Sequence, residues 1–344
     1  MTKRMTIFIA VCLFATATVF ANVQVNDTNF PCENFRNWIL EQPWGSSGVL
    51  TDADIAGVAS INVEFRSISD LTGIGFFTNL TFLIADFNLL TSLDVSNLTN
   101  LTTLRVSANQ LTSLDVSNLT NLTSLSVGNN QLTSLDVSNL TNLTRLDVPN
   151  TQLTSLDVSN LTNLTFLQMQ GSPFASLDFM SGLTNLTNLI ADGNQLAMLD
   201  ASTLTHIINL TISDIQTTSL DVLLTWTHLT DLHVTAFFLT SLDVSNLTNL
   251  TRLVVDSPLT SLDVSSLINL QTLQLIGATN ISWWGTRLTA LDVSNLTNLT
   301  TLSVSNNQLT SLDVSNLTNL RNLSVGSNQL TSLDLTGLDN LTMI

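Results

Sequence analysis

The chain has 344 residues, a formal net charge of −17 and only 10% charged residues. Its only lysine is Lys3, and nine basic residues face 26 acidic ones. That balance excludes a phosphate-tracking nucleic-acid binder, which needs a basic stripe. Residues 1–21 read as an export signal, with Lys3 and Arg4 ahead of the apolar run Ile7 to Phe20 and a small-x-small site at Val19-Phe20-Ala21. That run is short for a bilayer span. Cleavage near Ala21 leaves a secreted or cell-surface protein with no membrane span. It removes two positive charges, taking −17 to −19, and leaves Cys32 as the sole cysteine.

Residues 22–60 do not repeat and predict a helical N-terminal cap. Phe35, Trp38, Ile39 and Leu40 are spaced for one apolar helix face after Pro31. Gln42 to Gly48 is a turn-rich break, and Thr51 with Asp54 has the spacing of a capping box for a short second helix through Val58.

From residue 61 to 344 the chain is built on a 21-residue unit, plainest from Leu111 to Gln131 as LTSLDVSNLTNLTSLSVGNNQ. Such a period predicts a solenoid, here of about 13 rungs, in which each unit buries its apolar side against its neighbours. Apolar residues fall at Leu111, Leu114, Val116, Leu119, Leu122, Leu125 and Val127. Each L-x-V pair reads as a short strand, so two strands per rung are expected, Ser113 to Val116 and Ser124 to Val127, stacking into parallel sheets on opposite walls. The middle is irregular. Ser181 to Leu229 and the segment near Pro258 gain or lose single residues, and Ile276 to Arg287 is longer than the usual turn. Regularity returns from Leu288, and no clear C-terminal cap is predicted after Leu341.

The pattern L-x-x-L-x-V-x-x-N-x-L, as in Leu122 to Leu132, resembles the leucine-rich repeat. The 21-residue form with L-x-x-L-D-V resembles bacterial internalin-type surface proteins. The resemblance implies an α/β-type repeat solenoid with parallel strands on one or both walls and few helices outside the cap. It implies non-catalytic binding, mostly of proteins, in adhesion or host interaction. It also assigns Asn88, Asn109, Asn130, Asn194, Asn307 and Asn328 to a structural ladder bonding inward-facing backbone. Thr151, Ser172, Ile215, Phe237 and Pro258 depart from it, so the ladder should break in the middle.

Within the unit, the LTSLDVSNLTN half barely changes while outward positions of the second strand vary. They read Phe82 and Ile84, Thr103 and Arg105, Arg145 and Asp147, Phe166 and Gln168, Asp231 and His233, Arg252 and Val254. Variation on a rigid array suits a recognition surface, and drift at solvent-exposed sites produces it too. Apolar Phe82, Phe166 and Ile190 facing water favour a partner, a protein or a surface glycan. Trp283-Trp284 in the long turn either forms a hot spot or folds back onto the rungs.

The constant half carries an acidic series, Asp94, Asp115, Asp136, Asp157, Asp178, Asp200, Asp221, Asp243, Asp263, Asp292, Asp313 and Asp334. Neighbours about 5 Å apart repel by about 0.8 kcal/mol in water. Two readings follow: a solvated ladder with raised carboxyl pKa values, or a calcium-binding one. Charge in mid-array argues against templating ice. The dense Asn-Leu-Thr sequons read as turn chemistry rather than glycan sites on every rung. His206, His228 and His233 lack a nucleophile partner and read as surface or turn residues. Neither a catalytic constellation nor a cofactor motif is present. The alternative to a binding protein is a structural envelope or matrix protein that self-associates through its C-terminal end.

Overall fold

A computed structural model of the chain describes residues 22–192, 204, 206–214, 218–277 and 287–343. Residues 1–21, read above as an export signal, and Asn194, Asp200, Ile215 and Trp283-Trp284 lie outside these described residues.

At the N-terminal end, β1 (Val23–Gln24) pairs antiparallel with β2 (Val49–Leu50). Helix α1 (Glu33–Glu41) buries Phe35, Trp38 and Ile39, an i, i+3, i+4 stripe. Leu40, predicted on the same face, falls off that stripe and is exposed. Helix α2 (Asp52–Gly57) starts at a reciprocal capping box. Asp54 N–H donates to Thr51 Oγ1 at 3.2 Å, and Thr51 N–H donates to Asp54 Oδ2 at 2.9 Å. Edge-to-face rings tie this end to the repeats: Trp38 to Trp44 with centroids 6.0 Å apart, then Trp44 to Phe77 at 5.4 Å.

The repeats form one 13-stranded sheet in sequence order, parallel throughout. Its strands are β3 (Ser60–Asn62), β4 (Phe82–Ile84), β5 (Thr103–Arg105), β6 (Ser124–Ser126), β7 (Arg145–Asp147), β8 (Phe166–Gln168) and β9 (Asn188–Ala191). They continue with β10 (Asn209–Asp214), β11 (Asp231–Ala236), β12 (Arg252–Asp256), β13 (Thr272–Leu275), β14 (Thr301–Ser303) and β15 (Asn322–Ser324). The register stacks Leu83 on Leu104, Leu125, Leu146 and Leu167, all fully buried.

Among the described residues the expected second sheet does not form. Leu114 and Val116 are buried as predicted, but their backbone turns instead of pairing. Asp115 Oδ1 accepts the Ser117 N–H at 2.9 Å, and Leu119 N–H closes onto Val116 O at 2.9 Å. These local bonds draw the segment out of the extended geometry a ladder needs. Side chains do the stacking on that wall: Asn121 Nδ2 donates to Thr99 O of the preceding rung at 2.9 Å. Asn100, Asn142, Asn163, Asn249 and Asn319 repeat that bond.

In the regular rungs an asparagine after the strand closes the turn, buried at Asn88, Asn109, Asn130 and Asn307. Asn88 Oδ1 accepts the Ile68 N–H at 2.9 Å while its Nδ2 donates to Val63 O at 2.8 Å. Asn109, Asn130, Asn307 and Asn328 hold Leu90, Leu111, Leu288 and Leu309 in the same way. Where asparagine is missing, hydroxyls take over part of the work. Thr151 N–H donates to Ser172 Oγ at 3.0 Å, and Ser172 Oγ donates to Val148 O at 2.9 Å. At the Pro258 departure the preceding Ser257, fully buried, accepts the Ala236 N–H at 3.2 Å. Between these points β10 and β11 lengthen to six residues each and pair along their whole length. There the extended strand pairing itself satisfies backbone groups that the asparagine turn satisfies elsewhere.

Candidate interaction surface

In the three-residue strands β4 to β8 the central leucine enters the core and its two neighbours lie on the outer face, because side chains alternate across a strand. Phe82 is 47% exposed and Arg105 is exposed, while Ile84, Arg145, Phe166, Gln168, Asp231, His233 and Arg252 are half-buried on the same face. Ile190 is also half-buried. Two residues read as outward do not face water: Asp147 is 7% exposed and Val254 3%. Asp147 lies in register between Ser126 and Gln168 with the Arg145 side chain drawn onto it, and Val254 sits between His233 and Gln274. In-register neighbours stand about 5 Å away and shield a short side chain.

Three ion pairs organise the face. Arg105 Nη2 meets Asp86 Oδ2 at 2.5 Å, and the Ser107 N–H donates to Asp86 Oδ1 at 2.7 Å. Burial pushes the Asp86 carboxyl up, opposed by the Ser107 amide and Arg105. Arg145 Nε donates to Asp147 Oδ2 at 2.8 Å, and its guanidinium lies 3.6 Å from the centre of the Phe166 ring. Burial raises the Asp147 carboxyl, opposed first by Arg145. In the middle, Arg252 Nη1 contacts Asp231 Oδ1 at 3.2 Å. Beside this pair the His233 imidazole is pushed down by burial and then by Arg252, against the pull of Asp231 and Asp256.

The face therefore has distinct zones. From β4 to β8 it offers phenylalanine and arginine side chains. From β13 to β15 it offers Thr272, Gln274, Thr301, Ser303, Asn322 and Ser324, which are polar and uncharged. Large aromatics, and arginines already held by ion pairs, suit protein recognition better than scattered small polar groups do.

Sequence reasoning missed a feature just past the strand ends. Phe65 and Phe87 have left-handed φ values of 57° and 55°. Their rings stack at 4.4 Å between centroids, 12° from parallel, and they are 67% and 51% exposed. A side chain with a Cβ costs about 1–2 kcal/mol in that conformation. Other rungs fill the position of Phe87 with Ala108, Asn129, Asn150, Asn306 and Ser327. A rung-by-rung comparison of the residue preceding the ladder asparagine carries that signal.

The opposite wall holds the acidic series, and there the expected upward pKa shift is reversed. At Asp115, Asp136 and Asp157 the hydroxyl of the serine two residues on lowers the carboxyl value, aided by its backbone N–H. Ser117 Oγ donates to Asp115 Oδ1 at 2.7 Å. Hydrogen bonds to the charged form outweigh repulsion between rungs, which water screens. Among the described residues no three His, Cys, Asp or Glu side chains are grouped to hold a metal ion. A cleft of about 370 Å³ opens on this wall where the cap meets the first rungs, with Phe76, Leu93, Asp70 and Asp94 among its walls. His206 has a structural place: its Nε2 lies 2.8 Å from Leu183 O, where other rungs use asparagine. Among the described residues no helix is long and apolar enough to cross a membrane.

Comparison with known proteins agrees with this architecture. Residues 99–140 and 297–340 match the family described as leucine-rich repeats in two copies, and residues 82–105 match the LVIVD repeat. None of the curated protein sequences matches the chain. Among solved structures, the functional domain of InlJ from Listeria monocytogenes is 31% identical, over 95% of this chain and 76% of that one, with a TM-score of 0.66. That domain is described as including a cysteine ladder, whereas this chain has two cysteines in all. The internalin InlF of the same organism is 25% identical over 94% of this chain and 97% of that one, with a TM-score of 0.71. A leucine-rich-repeat protein of Leptospira interrogans shares the fold at 22% identity and a TM-score of 0.60, over 84% and 90% of the two chains.

Proposed function

The chain belongs to the internalin-type leucine-rich-repeat proteins, and from that premise we propose that it is an exported, non-catalytic protein that binds a protein partner through its variable strand face. The observation that carries this reading is the exposure of Phe82 beside half-exposed Arg105, with Arg145 laid over Phe166 four strands on. Aromatic side chains, and arginines already pinned by Asp86 and Asp147, lose little conformational entropy on binding, and these residue types dominate protein interfaces. The nearly constant half of each rung serves as scaffold, because its asparagines are engaged in bonds to the preceding rung. Export follows from the reading of residues 1–21 as a leader, with the surface as the place of action.

The test uses peptides selected from a random phage-displayed library panned on the whole chain. Replacing Phe82 and Phe166 together by Ala should weaken the dominant peptides by on the order of tenfold or more, the scale of a lost hot spot. Undiminished affinity would remove the strand face from the recognition site.

A further inference from the structure

The turns after β3 and β4 break the repeat in a way the fold does not require. Phe65 and Phe87 hold left-handed backbone conformations that small or amide side chains fill in other rungs. Leu89, 46% exposed, stands where Gln110, Gln131, Gln152, Gln308 and Gln329 occur. Three large apolar side chains thus replace polar-compatible residues at adjacent solvent-facing positions, two of them against backbone strain. The left-handed conformation belongs to the turn of many rungs; what sets Phe65 and Phe87 apart is a bulky ring where small or amide side chains stand elsewhere, and a cluster of exposed apolar groups marks a contact surface.

Arg105, paired with the residue before Phe87, stands beside this patch, and Arg145 lies two strands farther along the face. The Arg105 and Arg145 side chains are 46% and 44% exposed, whereas their partners Asp86 and Asp147 are 1% and 10% exposed. Each pair is neutral in sum, yet only its cationic half faces outward. In a chain of net charge −17 these two outward guanidiniums favour an acidic ligand, with half-buried Glu64 beside Phe65 as the nearby opposing charge.

We propose that Phe65, Phe87 and Leu89 form the apolar half of a docking site, with Arg105 and Arg145 as its charged half. The occupant is a segment of a partner protein carrying a large apolar side chain close to a carboxylate. The apolar side chain covers the stacked rings. The carboxylate meets the guanidinium edges that Asp86 and Asp147 leave open. This rests on the strand-face reading above and extends it past the strand ends to a defined partner chemistry.

The variant Phe65→Asn/Phe87→Asn, with Leu89→Gln added separately, installs residues this backbone already carries in other rungs, so the fold is retained. The probe is again a random phage-displayed peptide library panned on the whole chain. The expected result is enrichment of peptides joining Trp, Phe or Leu to Asp or Glu. Their affinity should drop by on the order of tenfold on the double variant and fall with added salt. Its melting temperature should be unchanged or higher. Enriched basic peptides, peptides indifferent to the variant, or a lowered melting temperature would each overturn the proposal, the last by making the pair a structural prop. Binding of a printed saccharide that the same variant abolishes would overturn it as well. If Phe82→Ala/Phe166→Ala weakens the peptides while the turn variant does not, this proposal fails and the strand-face reading survives. Indifference to both variants removes both.

Discussion

Asn109 bridges two rungs: its Oδ1 accepts the Leu90 N–H at 3.0 Å while its Nδ2 donates to Ala85 O at 2.9 Å. Both partners are buried and lie outside the strands. Replacing Asn109 by Ala leaves a donor and an acceptor unsatisfied, each costing about 1–3 kcal/mol. Asn109→Ala should therefore destabilise the solenoid by about 2–4 kcal/mol, read by denaturant unfolding. A loss well under 1 kcal/mol would mean water reaches the turn.

The stacked phenylalanines predict the opposite sign. Relieving left-handed strain at Phe65 and Phe87 gains about 1–2 kcal/mol at each site, although asparagine retains part of that cost. Losing one aromatic stack forfeits about 0.5–1.5 kcal/mol. The Phe65→Asn/Phe87→Asn variant should then gain about 1 kcal/mol, visible as a melting temperature about 1–4 °C higher.

His206 and the asparagines of the opposite wall make a cheaper comparison. Because the imidazole occupies a position where asparagine bonds the preceding rung, His206→Asn should leave stability within about 0.5 kcal/mol. His206→Ala removes the bond to Leu183 O and should cost about 1 kcal/mol. Equal effects from the two changes would deny the shared role.

Acidity acts on the two walls in opposite directions. The carboxyls of Asp94, Asp115, Asp136, Asp157, Asp243, Asp263, Asp292, Asp313 and Asp334 sit below their ordinary value, each held there by the hydroxyl and amide of the residue two positions on. Their stabilisation is present above the ordinary carboxylate value of 3.8 and is lost as pH falls below it. Asp86, Asp147 and Asp256 are raised, chiefly by burial. For them stability declines as pH rises from the ordinary value through the raised one. Melting temperature against pH should peak in mild acid and fall on both sides. Asp86→Asn should flatten the fall toward neutrality, and stability that keeps rising below about pH 4 would contradict the ladder's part.

Much of the fold was legible because its signal repeats. The leucine offsets gave the solenoid, and Leu111, Leu125 and Val127 lie buried where their spacing put them. The second sheet was misread because Leu114 and Val116 alternate like strand residues, while Asp115 between them closes a local turn. Alternation reports burial and is silent about hydrogen-bond partners. The strand face was legible as variation, but Asp147 and Val254 show that variable and exposed are different properties. The phenylalanine pair was hidden because left-handed φ leaves no periodic trace. Only comparison with Ala108 and Asn129 at the same place in the rung reveals it.

Hydroxyl-radical footprinting of the chain alone and bound to its selected peptide tests the central claim most directly, since aromatic side chains report their own exposure. The account predicts protection at Phe82 and Phe166, and none at Phe179, which is packed beside Phe174 away from the strands. Unchanged labelling of Phe82 and Phe166 in the bound state would contradict it.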